Sequence, residues 1–380
     1  MAADAEVVAA AVVDAVGIDM AATLEPQYVP RSFQMQWHIT EHCNLRCSHC
    51  YQDTYEQADL PFDSLVQIFR QFVGTLEMFR RESGRDIPAR ITLTGGEPFL
   101  RSDFFELLEI VASYRRSLRF AILTNGTMID RNTAKRIACF KPDYVQVSID
   151  GLRETHDTLR AFGSFDLATE GIRRFVEQHV RTIVSFTVSR RNAAEFAAVA
   201  RWATQLGVQR FWADRLIPTT LEQRCDVLSP EETREFFEQM HAVRTALQPQ
   251  TCAGWLKKFV SQYILRRGSA MEVSMHRALQ FLVGGGTIYR CSAGDSLVAV
   301  LPDGTLLPCR RMPIPVGNVL QTPLIELYRN SEILKQLREN RCPKECAGCL
   351  YVEHCGGGLR CLAHAMTGNP LMPEPGCPLR

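Results

Sequence analysis

Six short segments rich in β-branched and aromatic residues recur between residues 33 and 216, with helical segments between them. They are FQMQWHIT (33–40), RITLT (90–94), RFAILT (119–124), YVQVSI (144–149), TIVSFTV (182–188) and RFWADRL (210–216). Several are apolar almost throughout, as strands buried on both faces of a parallel sheet are. In the first intervening segment Leu65, Ile68, Phe69, Phe72, Val73 and Leu76 fall three and four residues apart, behind Pro61, which is the spacing of an amphipathic helix. Gly207 follows the last such segment where a helix C-cap belongs. Strand–helix alternation of this kind dictates an α/β fold with a parallel sheet and helices outside it. Six units are too few for the closed eight-stranded barrel. The sequence therefore predicts a partial (βα)6 barrel over 32–217.

Parallel α/β folds gather ligand chemistry on the loops after their strands. Here TEHCNLRCSHC follows the first strand, TGGEP (94–98) the second and TNGT (124–127) the third, while SIDG (148–151) closes the fourth. Four successive loops with unusual residues thus converge on one rim.

The chain has 14 cysteines, and their placement is lopsided. Cys43, Cys47 and Cys50 form a C-x3-C-x2-C triplet. Cys291, Cys309, Cys342, Cys346, Cys349, Cys355, Cys361 and Cys377 crowd the C-terminal part. Clustering in a large chain without a secretory signal favours metal binding over disulfides. For the scattered Cys139, Cys225 and Cys252, small buried hydrophobes are the expectation. Three thiolates with an open fourth position suit a catalytic zinc site, with His42 or His49 nearby, or an iron–sulfur cluster with one open iron.

Residues 1–31 are Ala/Val-rich, carry acids and lack the basic start of a signal peptide, so a loose N-terminal tail is expected. Residues 218–285 read as connecting helices, one of them capped by Ser229 and Pro230. Residues 286–380, dense in Cys, Gly and Pro, show little apolar periodicity and are expected to depend on metal clusters for cohesion. The net charge is +1, which offers no attraction for nucleic acid or an anionic membrane. No stretch approaches the ~18 apolar residues of a spanning helix, so a cytoplasmic protein is expected.

The triplet directly after strand one, with Gly-Gly-Glu-Pro after strand two, resembles the radical S-adenosylmethionine (radical SAM) superfamily over residues 33–215. That resemblance implies a 4Fe–4S cluster on Cys43, Cys47 and Cys50, with S-adenosylmethionine chelating the fourth iron. It implies reductive cleavage of that cofactor to a 5′-deoxyadenosyl radical, which takes hydrogen from a substrate. Gly95, Gly96, Glu97 and Pro98 would cradle the methionine moiety, Glu97 accepting from its ammonium. His49 fills the slot where the family has an aromatic ring against the adenine. Asn125, Ser148 and Arg160 lie at further cofactor positions, and Arg215, Leu216 and Ile217 where the family holds the adenine through backbone groups. Asp150 is either a turn former or functional.

The C-terminal cysteines resemble the SPASM extension of these enzymes, which carries two auxiliary 4Fe–4S clusters. Carried over, Cys291, Cys309 and Cys361 would hold the first, and Cys346, Cys349, Cys355 and Cys377 the second. Cys361 follows Cys355 after five residues, where the usual gap is three, and Cys342 is an extra thiol without an assigned role. The formylglycine-forming branch usually has an acidic, aromatic run where this chain has CRRMPIPVGN, which argues against that branch. The resemblance implies first a peptide- or protein-modifying oxidoreductase, and second a synthase of a cofactor, tetrapyrrole or other small molecule. It also implies an electron donor such as flavodoxin or ferredoxin, and a separate leader-peptide-binding protein if the substrate is leader-guided. The reading from another class is a non-enzymatic iron–sulfur or zinc protein, which leaves the Gly95–Pro98 loop without a purpose.

Overall fold

A computed structural model describes residues 27–52, 54–247, 271–285, 288–339 and 343–380. The expected N-terminal tail (apart from residues 27–31), Cys252 and Cys342 lie outside them. All six expected strands form: β1 (Phe33–His38), β2 (Ala89–Thr94), β3 (Arg119–Thr124), β4 (Tyr144–Ser148), β5 (Thr182–Val188) and β6 (Arg210–Arg215). Each pairs in parallel with the next. Between them run α1 (Phe62–Ser83), α2 (Phe104–Ser113), α3 (Arg131–Phe140), α4 (Arg153–Leu159), α5 (Ser164–Glu177) and α6 (Phe196–Gln205). The sheet then continues at both edges, in the order β10-β9-β8-β1-β2-β3-β4-β5-β6-β7. Its ends do not meet among the described residues, so the barrel is open.

The strands are less uniformly apolar in their surroundings than their composition suggests. Phe33, Met35 and Trp37 of β1 are fully buried, as are Ile91 and Leu93 of β2. The alternate residues Gln34, Gln36, Arg90 and Thr92 are half-buried. With the side-chain period of two, one sheet face packs into the helices while the other presents polar groups. That second face has the character a ligand-bearing interior needs.

The C-terminal part contributes more core than its sequence suggests. The connecting segment, expected to be helical, also contributes a strand, β7 (Glu272–Ser274), parallel to β6, and in the C-terminal part β8 (Leu297–Val300) adds in parallel to β1. β9 (Thr305–Leu307) and β10 (Gly317–Asn318) follow antiparallel. Val298, Val300, Leu306 and Met312 are fully buried. Strands this short show too few residues for periodicity to register. In the connecting region α7 (Pro230–Leu247) starts with a reciprocal cap: Ser229 N donates to Glu232 Oε2 (2.6 Å) and Glu232 N to Ser229 Oγ (3.2 Å). The expectation for the scattered cysteines is corrected, since Cys139 and Cys225 are both exposed. Cys139 lies on a helix whose buried residues are Ala134 and Ile137, and Cys225 lies in the turn Glu222–Asp226, which buries nothing.

Candidate active site

Beyond β1 the chain is zipped to the loop after β2. Ile39 N donates to Thr94 O (2.9 Å), Gly96 N to Thr40 O (2.8 Å) and Glu97 N to His42 O (2.8 Å). The two glycines exist for this contact: a Cβ on Gly95 would fall onto Thr40 O, and one on Gly96 onto His42 O. Gly95 also has φ +153°, which side chains rarely adopt. Buried Arg101 braces the junction from beneath, donating to Ile39 O (3.0 Å) and Leu60 O (2.6 Å). The sequence expectation that the glycines admit a ligand thus gains a second cause, the cysteine loop's own backbone.

Glu97 is fully buried and already engaged. Its carboxylate accepts from Thr124 Oγ1 (2.8 Å), Asn125 N (2.8 Å) and Phe99 N (3.4 Å). Burial pushes its pKa up to about 7 against the pull of those hydrogen bonds. Pro98 opens the short turn Pro98–Leu100 that Glu97 caps. Glu97 therefore ties the second and third loops together. Asn125 continues the chain of contacts, with Nδ2 donating to Asn44 Oδ1 (2.9 Å) and approaching Cys43 Sγ (4.0 Å).

The cysteine triplet is half-buried on this platform. Leu45 N donates to Cys43 Sγ (3.5 Å) and Arg160 Nη1 to Cys47 Sγ (3.7 Å). Burial pushes the Cys43 thiol up to about 11; it also raises Cys47, against the opposing charge of Arg160. Iron would have to displace those protons, since the thiolate is the ligand. An all-sulfur donor set with N–H groups aimed at the sulfurs fits an iron–sulfur cluster. Among the described residues no three His, Cys, Asp or Glu side chains are grouped for a single metal ion.

Asp150 organises the far side. It is fully buried, and its carboxylate accepts from Arg160 Nε (2.6 Å) and Thr187 N (2.7 Å), with His49 Nε2 at 3.1 Å. Asn192 Nδ2 donates to the Asp150 carbonyl (2.8 Å). Burial alone would raise this carboxyl's pKa; Arg160 and His49 hold it well below the ordinary carboxylate range. Ser148 is half-buried at the end of β4, and Ile217 is buried just past β6. The segment after Ile217 returns to the cysteines, where Thr219 Oγ1 donates to Cys50 O (3.4 Å) and Gln223 Nε2 to Ser48 O (2.8 Å). Gly96, Glu97, Asn125, Asp150 and Arg160 thus lie around the cysteine loop. Sequence reasoning left Asp150 undecided and missed Thr187 and Asn192. The only signal was an acid placed where a strand ends inside the fold.

The C-terminal cysteines form two neighbourhoods. Cys361 and Cys309 are both raised by burial and then by neighbouring thiols: Cys291 acts on each, and Cys309 on Cys361. Cys377 likewise feels Cys349, and Cys355 feels Cys377, after burial and Glu374. Arg360 N–H donates toward Cys291, and the Arg360 side chain faces Cys291, Cys355 and Cys346. The two groups are therefore adjacent, with Arg360 between them.

Comparison with known proteins agrees with this architecture. A family model of the radical SAM superfamily matches residues 37–203, and one of the SPASM iron–sulfur cluster-binding domain matches 291–350. The AdoMet-dependent heme synthase of Methanosarcina barkeri is 28% identical over 348 residues, covering 90% of this chain and 95% of that protein. Mycofactocin maturase MftC of Mycolicibacterium smegmatis is 27% identical over 358 residues, covering 90% and 82%. The solved structure of native anSMEcpe with bound AdoMet and Cp18Cys peptide shares the fold, with a TM-score of 0.66 at 19% identity, over 91% of this chain and 94% of that one. No described helix is long and apolar enough to cross a membrane. The chain is a radical SAM enzyme with an iron–sulfur-binding SPASM domain.

Proposed function

We propose that this enzyme holds its cofactor-binding 4Fe–4S cluster on Cys43, Cys47 and Cys50, and two auxiliary clusters on the C-terminal cysteines. Its substrate, in this reading, is a tetrapyrrole or related small molecule bearing carboxylates. When bound, the first cluster and S-adenosylmethionine supply a 5′-deoxyadenosyl radical that removes a hydrogen atom from the substrate. The chain's own residues do the positioning. Leu45 N and Arg160 donate to ligand sulfurs, Asp150 fixes Arg160 and His49, and the glycine loop locks the cysteine loop onto the sheet. The observation that carries the reading is the convergence of four strand-end loops on the triplet, with Cys309 and Cys361 near Tyr51, the residue after Cys50. Cys291, Cys309 and Cys361 would hold the nearer auxiliary cluster, and Cys346, Cys349, Cys355 and Cys377 the farther.

The substrate class rests on a likeness to AdoMet-dependent heme synthase that spans nearly that protein's full length. Peptide modification is the second reading, favoured by the likeness to mycofactocin maturase. Reduction by a flavodoxin or ferredoxin suits either. Anaerobic reconstitution, iron counting and reduction by dithionite with S-adenosylmethionine test the first part. On the order of 12 irons per chain and 5′-deoxyadenosine are expected, and about 8 irons would remove one auxiliary cluster from the proposal. Supplying Fe-coproporphyrin III should then raise 5′-deoxyadenosine formation and change the porphyrin. An unchanged porphyrin would turn the assignment to peptides.

A further inference from the structure

We propose that Arg277 and Arg311, gathered on Asp214 between the cysteine-bearing segments, receive a carboxylate of the substrate. Three stretches of chain build this spot. Tyr51 directly follows Cys50, Arg311 lies two residues after Cys309, and Tyr289 lies two before Cys291. The floor is the end of β6, where Trp212 and Asp214 sit. A ligand here lies between the triplet and the nearer auxiliary cysteines, where a substrate of this enzyme has to be; to that extent the inference rests on the function proposed above.

The arginines outnumber the carboxylates within the cluster. Asp214 Oδ2 pairs with Arg311 and stands 3.5 Å from Arg277 Nε, so two guanidiniums share one buried carboxylate. Its other oxygen, Oδ1, accepts from Arg215 N (3.0 Å). Arg311 also faces the Cys309 and Cys361 sulfurs, which leaves Arg277 with only its share of Asp214, and both arginine side chains stay partly exposed, at 22% and 26%. The Arg277 guanidinium is also stacked on a ring. The Arg277 guanidinium carbon lies 3.7 Å from the Trp212 ring centre and 5.8 Å from that of Tyr289; that of Arg311 lies 5.8 Å from Tyr51's. Stacking fixes the plane and leaves the N–H edges to make in-plane bidentate contacts, the geometry a carboxylate matches. Two buried donors here, Arg277 Nε and Trp212 Nε1, have no hydrogen-bond acceptor. An incoming carboxylate supplies acceptors for both.

The test is binding of metal-free coproporphyrin III to the reconstituted holoenzyme, read by fluorescence anisotropy, with its tetramethyl ester as the uncharged control. Iron content and far-UV circular dichroism report folding of each variant. Arg277→Gln should weaken coproporphyrin III at least tenfold, Arg277→Lys should recover part of the loss, and the ester should bind weakly to all. Asp214→Asn removes the competing negative charge and should tighten binding severalfold. A merely structural ion pair predicts weakening in both Arg277→Gln and Asp214→Asn, and that result would overturn the proposal. So would an ester that binds as tightly as the acid. If the wild type ignores coproporphyrin III, the tetrapyrrole reading fails and short peptides with free or amidated C-termini decide the site. A preference for the free carboxylate that Arg277→Gln abolishes upholds it, and no preference overturns it.

Discussion

Cys43, Cys47 and Cys50 stand on a loop that backbone hydrogen bonds tie to its neighbours, including Ser48 N to Leu159 O (2.8 Å). Cys346, Cys349, Cys355 and Cys377 stand instead among short turns and the four-residue helix Val352–Cys355. There Gly356, Gly357 and Gly358 all take positive φ, so the backbone folds tightly without any ladder to hold it. Besides the core packing of Leu359, Cys361 and Leu362, this segment is tied by Glu374. It accepts from Leu359 N (2.6 Å), donates its own N–H to Gly357 O (2.8 Å) and pairs with buried Arg215 at the end of β6. Backbone hydrogen bonds to the strand-end loops hold the first set of thiols. The second set is held by the Glu374 carboxylate, by the packing of Leu359, Cys361 and Leu362, and by the iron it would hold.

The largest expected effect separates activity from folding. Cys43→Ala should abolish 5′-deoxyadenosine formation while leaving the melting temperature close to wild type. Cys355→Ala should instead lower the melting temperature and open residues 343–380 to hydrogen exchange. Exposed Cys225→Ala should change neither. Equal loss of activity in Cys43→Ala and Cys225→Ala would break the cluster assignment. Equal destabilisation by Cys43→Ala and Cys355→Ala would break the comparison between the two regions.

Next in size is Glu374→Ala. Removing one partner of a buried pair leaves Arg215 uncompensated, which typically costs about 3–5 kcal/mol. The loss should appear in denaturant unfolding and concentrate in exchange from the C-terminal segment. If protection falls instead across β1 and β2, the segment is not held separately from the sheet.

The same contrast explains what the sequence made legible. The six parallel strands were readable because each is a run of five to seven residues followed in sequence by a helical segment. The triplet and Gly95–Pro98 were readable because few structures need three thiols and two glycines at strand ends. β8 to β10 were not, since runs of two to four residues carry no period. Nor was the Asp214 cluster. Its members come from positions 51, 212, 214, 277, 289 and 311, and no local pattern records that β6 and the C-terminal segment meet there. The buried Asp150 was visible as a residue, but its three donors come from Arg160, His49 and Thr187, on three other parts of the chain.

A third expectation concerns pH, and it arises in the sheet-held region because polar groups are buried there. His156 is held neutral, its Nδ1 accepting from Asp150 N (3.2 Å), and burial depresses its pKa to about 4. The unfolded chain binds that proton first, so stability is full above about pH 6.5 and falls as pH drops toward 4. At 1.36 kcal/mol per unit the loss is about 3 kcal/mol. Glu97, raised to about 7, acts in the opposite sense: the folded chain keeps its proton longer, so stability falls as pH rises from about 4.5 to 7. The two slopes should nearly cancel between pH 4.5 and 6.5. His156→Gln should then lose stability with rising pH and Glu97→Gln with falling pH. Two variants with parallel slopes would refute the opposed titrations.

The smallest effect probes the glycines on both sides of the comparison. Gly96→Ala places a Cβ against His42 O and Glu41 O, backbone atoms that can yield only by parting the two loops. A forced shift of that kind costs about 1–3 kcal/mol. It should also weaken S-adenosylmethionine binding, because the displaced loop carries Cys43. Gly348→Ala, between Cys346 and Cys349, meets nothing within 4 Å and should stay within about 0.5 kcal/mol of wild type. The pair asks whether crowding of the backbone, rather than glycine as such, sets the cost. Crowding is what the zipped loop adds and the C-terminal turns lack at that position. If Gly348→Ala proves as costly as Gly96→Ala, the C-terminal turn is more tightly constrained than its open surroundings indicate, and the contrast between a sheet-held and a metal-held site narrows.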